Sequence, residues 1–386
     1  MKRTAIVFAS FVVLSFVLVA AQQLPPGQIR PRPAEGRQPD FPAPNIREYK
    51  PRSTLVVPEH RVPRAKFPVI DIHGHPPALT SPDVVNTVGD AMSPLNLQVM
   101  VNANSTPSAQ LKASWDAIAQ SRYKNRMVMF TSLNLRDVGP GSGKAIAAQL
   151  EADVKAGAMG VGEIMKNFGL TLLKTDGSRL KIDDPELDVV WDKAAELNIP
   201  VFIHVADPSE FWKPIDYNNE RWLELALYRD RRYQDRSRFP DFEELMAERD
   251  HLFAKHPRTT WILAHLGWHA QDLARLGKLF DQNPKLYSEV GAVLYDIGRQ
   301  PRAAREFFEK YQDRLLFGKD SFQPDEYPYY WRVFETNDEY FDYYRDYHAF
   351  WKLYGAGLSD QVLKKLYFQN ALKILPGISR AGFPTN

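Results

Sequence analysis

The sequence predicts an α/β fold, a closed (β/α)8 TIM barrel, and three observations predict it. From Phe67 onward, short apolar runs of strand length alternate with amphipathic stretches of helix length, and eight such units can be counted. Strands that alternate with helices run parallel, and eight of them can close on themselves. Side chains suited to metal binding or proton transfer recur at the ends of these runs, where a barrel keeps its chemistry. The 386 residues fit one such domain with insertions, so length alone does not demand a second.

Strands are expected near 68–73, 96–102, 127–134, 159–165, 199–205, 259–265, 286–292 and 314–319. Ser142 is expected to cap a helix whose Ile146, Leu150 and Val154 recur every four residues, with Gly157 as its stop. Asp184-Pro185-Glu186 opens another, with Val190, Trp191, Ala194 and Ala195 on its buried face, and leads into the strand beginning at Ile199. A last helix starts at Ser359 and carries Leu363, Leu366, Tyr367 and Ile374. Two insertions, 206–240 and 321–358, follow strand C-termini and are rich in aromatic residues. Phe211, Trp212, Tyr217 and Trp222 mark the first, and Phe322, Tyr327, Tyr330, Trp331, Tyr343, Tyr344 and Tyr347 stand in the second. Such rings either pack the loops onto the barrel or wall an amphipathic pocket.

The chain before the barrel reads differently. Lys2 and Arg3, the apolar stretch Ala5 to Val19 and the small residues Ala20-Ala21 have the order of a secretory signal, and the core is short for a membrane span. Residues 1–21 are therefore expected to be cleaved after Ala21, an uncleaved anchor being the alternative, and the product to be secreted or periplasmic and off the membrane. Residues 22–66 are Pro-rich and lack apolar periodicity, as in an extended tether or strap. The barrel is placed at 67–378 and a tail at 379–386. The absence of cysteine excludes disulfides and a lipid-modified N-terminus, so stability must come from packing. Without residues 1–21 the chain holds 47 basic against 47 acidic groups, which argues against a nucleic-acid partner and leaves a small molecule. Arg229, Arg231, Arg232, Arg236 and Arg238 alternate with Asp230 and Asp235 and read as a solvated helical face. Oligomeric state is not encoded in any of these patterns.

The candidate chemistry begins at His73-Gly74-His75, which ends the run Phe67-Pro68-Val69-Ile70-Asp71-Ile72. Alternate residues of a strand share a face, so the two imidazoles can converge on one cation. His204, His265 and Asp320 end the fifth, sixth and eighth runs. One histidine at a strand end is usually structural, but four with an aspartate at the same rim are hard to explain that way. The fourth run ends in Gly162-Glu163-Ile164-Met165-Lys166, and opposite parity lets only one of Glu163 and Lys166 point inward. Lys166 is expected at the pocket rim as an anion-binding or polarising group, with Glu163 as a contact to substrate. His269 either touches substrate or caps the next helix. Arg299 suits a carboxylate through its guanidinium fork, whereas Arg302 reads as surface. His60, His251, His256 and His348 need no catalytic role.

With Ile70-Asp71-Ile72-His73-Gly74-His75, Phe202-Ile203-His204, Ala264-His265-Leu266-Gly267, Leu316-Phe317-Gly318-Lys319-Asp320 and Lys365-Leu366-Tyr367-Phe368-Gln369-Asn370-Ala371, the chain resembles the amidohydrolase superfamily, in its amidohydrolase-related (family 2) group. The resemblance spans Val69 to Leu375. It implies that His73, His75, His204 and Asp320 hold a divalent metal, expected to be one zinc ion, with a second ion as the alternative through Glu163 or Lys166. It further implies His265 as a histidine beside the metal that either supports its ligands or takes part in catalysis. The leading expectation is an exported metal-dependent hydrolase of a small amide, ester or lactone, in which Asp320 takes the proton of the attacking water and a neutral His265 polarises the carbonyl. The rivals are a non-oxidative decarboxylase of an aromatic or unsaturated acid and a secreted binding protein without turnover.

Overall fold

A computed structural model describes residues 40–348, 351–375 and 377–384. The expected signal lies outside the described residues, as do the tether up to residue 39 and the last residues of the tail. Among the described residues no helix is long and apolar enough to cross a membrane. Residues 40–49 belong to a unit of their own, within which the Glu48 and Tyr49 amides close a turn on the Asn45 carbonyl. The rest of the chain, from Lys50, is the second unit.

Eight strands follow in the expected order: β1 (Val69–His75), β2 (Leu97–Thr106), β3 (Met127–Thr131), β4 (Val161–Ile164), β5 (Pro200–Ile203), β6 (Thr260–Leu263), β7 (Leu286–Glu289) and β8 (Leu315–Leu316). Each pairs in parallel with its sequence neighbour. The eighth run is interrupted after Leu316 and resumes as β9 (Asp320–Ser321), which pairs with β1 through Gly74 and His75. The Ile72 amide also donates to the Phe317 carbonyl at 3.0 Å, so this last run reaches both neighbours and closes the ring. Both faces of β1 through Ile72 are buried, which is why these strands read as unbroken apolar runs rather than as alternation.

β1 and β2 run on past their expected ends, to His75 and Thr106, whereas from β3 onward the strands stop earlier than their apolar runs suggest, and at β6 the site explains why. After Leu263 the backbone of His265, Leu266, Gly267 and Trp268 turns into the left-handed region, with φ of 57°, 50°, 61° and 53°, and leaves the sheet where the functional side chains begin. Ser142 does not cap its helix. Gly141 holds that position, the Glu186 carboxylate accepts the Gly141 and Gly143 amides at 2.8 and 3.0 Å, and the Ser142 hydroxyl accepts from Gly139 instead. A carboxylate delivered by a later segment outcompetes the local hydroxyl. The segment from Arg229 to Arg238 is no helical face: Arg231 pairs with buried Glu224 and Arg232 donates to the Leu225 carbonyl.

Residues 50–66 contain neither helix nor strand and are tacked along the barrel by backbone donors, His60 to Asp338 at 2.8 Å, Ala65 to Leu95 at 3.1 Å and Lys66 to Glu335 at 3.0 Å. In the second insertion the helix Tyr327–Glu335 buries Tyr327, Tyr330 and Trp331 around Phe317, so these rings are packing. Tyr217 in the first insertion is fully exposed. The two insertions meet over Tyr295. Arg221 donates to the Tyr295 hydroxyl at 2.7 Å and to Glu224 at 2.9 Å, and His348 Nε2 lies 3.4 Å from Glu224.

Candidate metal centre

The ends of β1, β4, β5, β6, β7 and β9 deliver one tight cluster. His73 Nε2 and His75 Nε2 are 3.1 Å apart, and Glu163 Oε2 lies 3.1 Å from the first and 3.2 Å from the second. A Cβ on the intervening Gly74 would fall 2.6 Å from the Met100 side chain and 3.0 Å from the Val101 carbonyl, so only glycine lets β1 lie this close to β2 here. His73 Nδ1 donates to Glu289 Oε1 at 3.0 Å and His75 Nδ1 to Asn104 Oδ1 at 2.9 Å. With both Nδ1 atoms protonated, each Nε2 presents a lone pair. Two such nitrogens and an ionised carboxylate cannot face one another without a positive charge among them.

Electrostatics states the same requirement. Burial works against charge on His73, yet the Glu163 and Glu289 carboxylates hold it well above the ordinary imidazole range. Burial would raise Glu163, but His73, His204 and His75 bring it well below the usual carboxylate range. The cluster is thus built to hold a cation, either a proton on His73 or a metal ion in its place. Imidazole nitrogens and a carboxylate form a donor set that zinc and its neighbours accept. Two further sets, Glu163 with His204 and His265, and His73 with His265 and Glu289, also bring their ligand atoms within 4.8 Å.

Each expected residue has a definite place. Asp320 Oδ1 stands at the edge of the cluster, 3.6 Å from His75 Nε2 and 4.0 Å from His73 Nε2. The side chains of Asp320 and His75 are 32% and 23% exposed while the rest of the cluster is buried, so solvent enters here. Burial would raise Asp320, but His73 and His265 lower it and keep it ionised. His204 does not share the face of Glu163 occupied by His73 and His75. Its Nδ1 donates to the other oxygen, Oε1, at 2.8 Å, because the Trp268 indole N–H approaches Nε2 at 3.3 Å and leaves the ring proton on Nδ1. His265 donates from Nδ1 to the Gly291 carbonyl at 2.8 Å, and burial, with His204 and His73 nearby, pushes its pKa down to about 4. Neutral in this tautomer, it has a lone pair on Nε2 and no proton with which to polarise a carbonyl; it can ligate or accept a proton.

Four more of the expected residues have surroundings that the sequence did not suggest. Glu163, expected as a contact to substrate or as a bridging ligand, is turned by β4 into the barrel between three histidines. Lys166 lies beyond the end of β4, and its ammonium pairs with Asp207 at 2.5 Å, so its charge is already answered. Arg299 is engaged by Glu220 at 2.9 Å and Asp296 at 2.7 Å, with its guanidinium 3.7 Å from the Trp351 ring centre, and is not open to a substrate carboxylate. His269 is buried against Arg249, which donates to its Nε2 at 3.0 Å. Arg302 lies outside the cluster on the helix Pro301–Lys310.

Sequence reasoning missed Glu289, Trp268 and Asn104. Glu289 ends β7 after Leu286-Tyr287-Ser288, the same signal that exposed Asp320, and it also accepts the His265 amide at 2.6 Å. A Cβ at Gly318 would approach Glu289 Oε2 to 2.5 Å and His73 Cβ to 2.8 Å, and one at Gly291 would approach the same Oε2 to 2.7 Å. The glutamate therefore sits between two glycines that leave it no slack.

An uncharacterized TIM-barrel protein from Bordetella bronchiseptica superposes with a TM-score of 0.50 at 16% identity, over 80% of this chain and 98% of that one. A dihydroorotase from Campylobacter jejuni aligns at 13% identity over 81% and 85% of the two chains, with a TM-score of 0.42. At 16% identity the likeness to the Bordetella protein speaks to fold alone. No curated protein sequence matches the chain. The amidohydrolase family model matches residues 70–377, from the strand that carries His73 and His75 to beyond the last helix. The chain belongs to the amidohydrolase family.

Proposed function

We propose that this protein is a metal-dependent hydrolase of a small amide, ester or lactone. The observation that carries the reading is the meeting of His73 Nε2, His75 Nε2 and Glu163 Oε2 within 3.2 Å of one another. These three would hold a divalent ion, zinc by donor type, with Asp320 at its open side. A second position beside His204, His265 and the other oxygen of Glu163 would need an ion to displace the ring proton that His204 now gives to that oxygen. When bound, the ion supplies Lewis acidity toward a water molecule and a substrate carbonyl.

The protein's own groups do the rest. Glu289 fixes the tautomer and orientation of His73, and Asn104 does so for His75. Asp320, ionised and reached by solvent, accepts the proton of the attacking water and returns it to the leaving group. Burial of His73, Glu163 and Glu289 keeps competing water away from the ligand atoms.

Metal analysis of the purified protein, combined with a screen of amides, esters, lactones and aromatic acids, tests this reading. Bound divalent metal is expected, one ion per chain or two where Glu163 bridges, with acid released from an acyl substrate, turnover lost on chelation and regained with zinc. Asp320→Asn is expected to keep the metal and lower turnover by about 10²–10⁴-fold. Turnover by metal-free protein would sink the proposal, and carbon dioxide released from an aromatic acid would replace hydrolysis by decarboxylation. Export remains part of the proposal on the sequence of residues 1–21 alone. Mature protein recovered outside the cytoplasm should begin at Gln22.

A further inference from the structure

The second insertion carries a cation, Arg345, that no carboxylate among the described residues pairs. The Arg345 guanidinium lies among Tyr330, Tyr343, Tyr344 and Tyr347, 5.6 Å from the ring centre of Tyr344 and 6.0 Å from that of Tyr347. Among the described residues no acidic group forms an ion pair with it. Other arginines of this region are engaged: Arg299 by Glu220 and Asp296, Arg221 and Arg231 by Glu224.

A second, independent observation falls beside it. The hydroxyls of Tyr343 and Tyr344 are buried and neither makes a hydrogen bond of good geometry. A buried hydroxyl without a well-made hydrogen bond is unfavourable, and here the two phenols have only each other and Tyr330 beside a guanidinium that no described carboxylate pairs, so donors outnumber acceptors. The phenol cluster also adjoins the metal centre. The Tyr330 hydroxyl accepts the Ala292 amide at 3.1 Å, and the preceding residue, Gly291, accepts the His265 ring proton.

We propose that Arg345, with the Tyr343 and Tyr344 hydroxyls, binds the carboxylate of a small organic acid whose flat apolar body lies against the tyrosine rings and whose reacting group reaches His73, His75 and Glu163. The planar guanidinium fork matches the two oxygens of a carboxylate, and phenol O–H groups complete the remaining acceptor positions. Aromatic walls favour an unsaturated or aromatic body. The substrate class is thus an anionic amide, ester or lactone. The chemistry rests on the hydrolase reading above, while the binding of the acid does not.

Benzoate is the probe and benzamide its neutral counterpart. Calorimetric titration of the full-length, zinc-loaded protein is expected to detect benzoate and not benzamide. Arg345→Met should weaken benzoate about tenfold or more, Arg345→Lys and Tyr344→Phe by less, with thermal midpoints recorded so that misfolded protein is recognised. The variant His73→Ala/His75→Ala, stripped of metal, separates this inference from the hydrolase reading: retained benzoate binding that still depends on Arg345 supports the acid site whatever the reaction. Equal binding of benzoate and benzamide, affinity unchanged in folded Arg345→Met, loss only in the histidine variant, or no binding at all would each overturn it.

Discussion

Two buried charged clusters lie near the mouth of this barrel, and they are built on opposite plans. At the joint between the insertions, each charge meets its complement: Arg221 donates to Glu224 and Tyr295, Arg231 to Glu224, and Arg299 to Asp296 and Glu220. At the strand ends, acceptor faces acceptor, with His73, His75 and Glu163 converging on one point. The first cluster is electrically complete without any visitor. The second is complete only with a cation. Self-sufficiency marks structure and incompleteness marks function, although both consist of buried ionisable groups.

Three experiments break or sharpen this contrast. The largest effect is expected from Arg221→Met, which takes one of two guanidiniums from buried Glu224 and one of two from buried Asp296, and should cost about 3–5 kcal/mol by denaturant unfolding while metal content stays unchanged. A variant that loses metal but not stability would erase the distinction. The second concerns acid. Burial, aided by Arg221, pushes the His348 pKa down to about 4 from its ordinary 6.5, so the unfolded chain binds a proton that the folded chain refuses. Stability should be intact above pH 6.5 and fall between pH 6.5 and 4 by on the order of 3 kcal/mol, and His348→Phe should flatten that slope. Glu224, brought down to about 2 by His348 and Arg221 against the effect of burial, adds a further loss only below its ordinary 4.5. Unfolding midpoints measured across this range settle both signs. The smallest effect is expected from Glu289→Gln, which keeps the shape but weakens the hold on His73; zinc affinity should fall about 10–100-fold in a competition titration. Unchanged affinity would mean that His73 needs no such support.

The barrel was legible because its signals are local. Each strand announces itself within a few residues, and the His73-Gly74-His75 spacing already implies convergence. Glu163 was visible as one of two inward candidates, and parity allowed only one; that Lys166 would leave the strand for Asp207 depends on a residue 41 positions away. His204 was read to its position but not to its rotation, since the Trp268 indole that turns it comes from another strand end 64 positions on. Arg299 looked like a free fork because Glu220 reaches it only once the first insertion folds, and Asp296, three residues before it, faces it only once Leu294–Arg299 coils into a helix. Arg345 was passed over for the complementary reason. A missing partner can be recognised only when all the neighbours are known.

The two glycines that flank Glu289 carry a last implication. Enlarging either would displace the carboxylate and, through it, His73, so the strand-borne half of the centre has no steric tolerance to trade. Diversification toward new substrates is therefore channelled into the segments after β5 and β9, which can lengthen and change their rings without disturbing a ligand. A laboratory campaign to redirect this protein would do best to randomise those segments and leave Gly291 and Gly318 untouched.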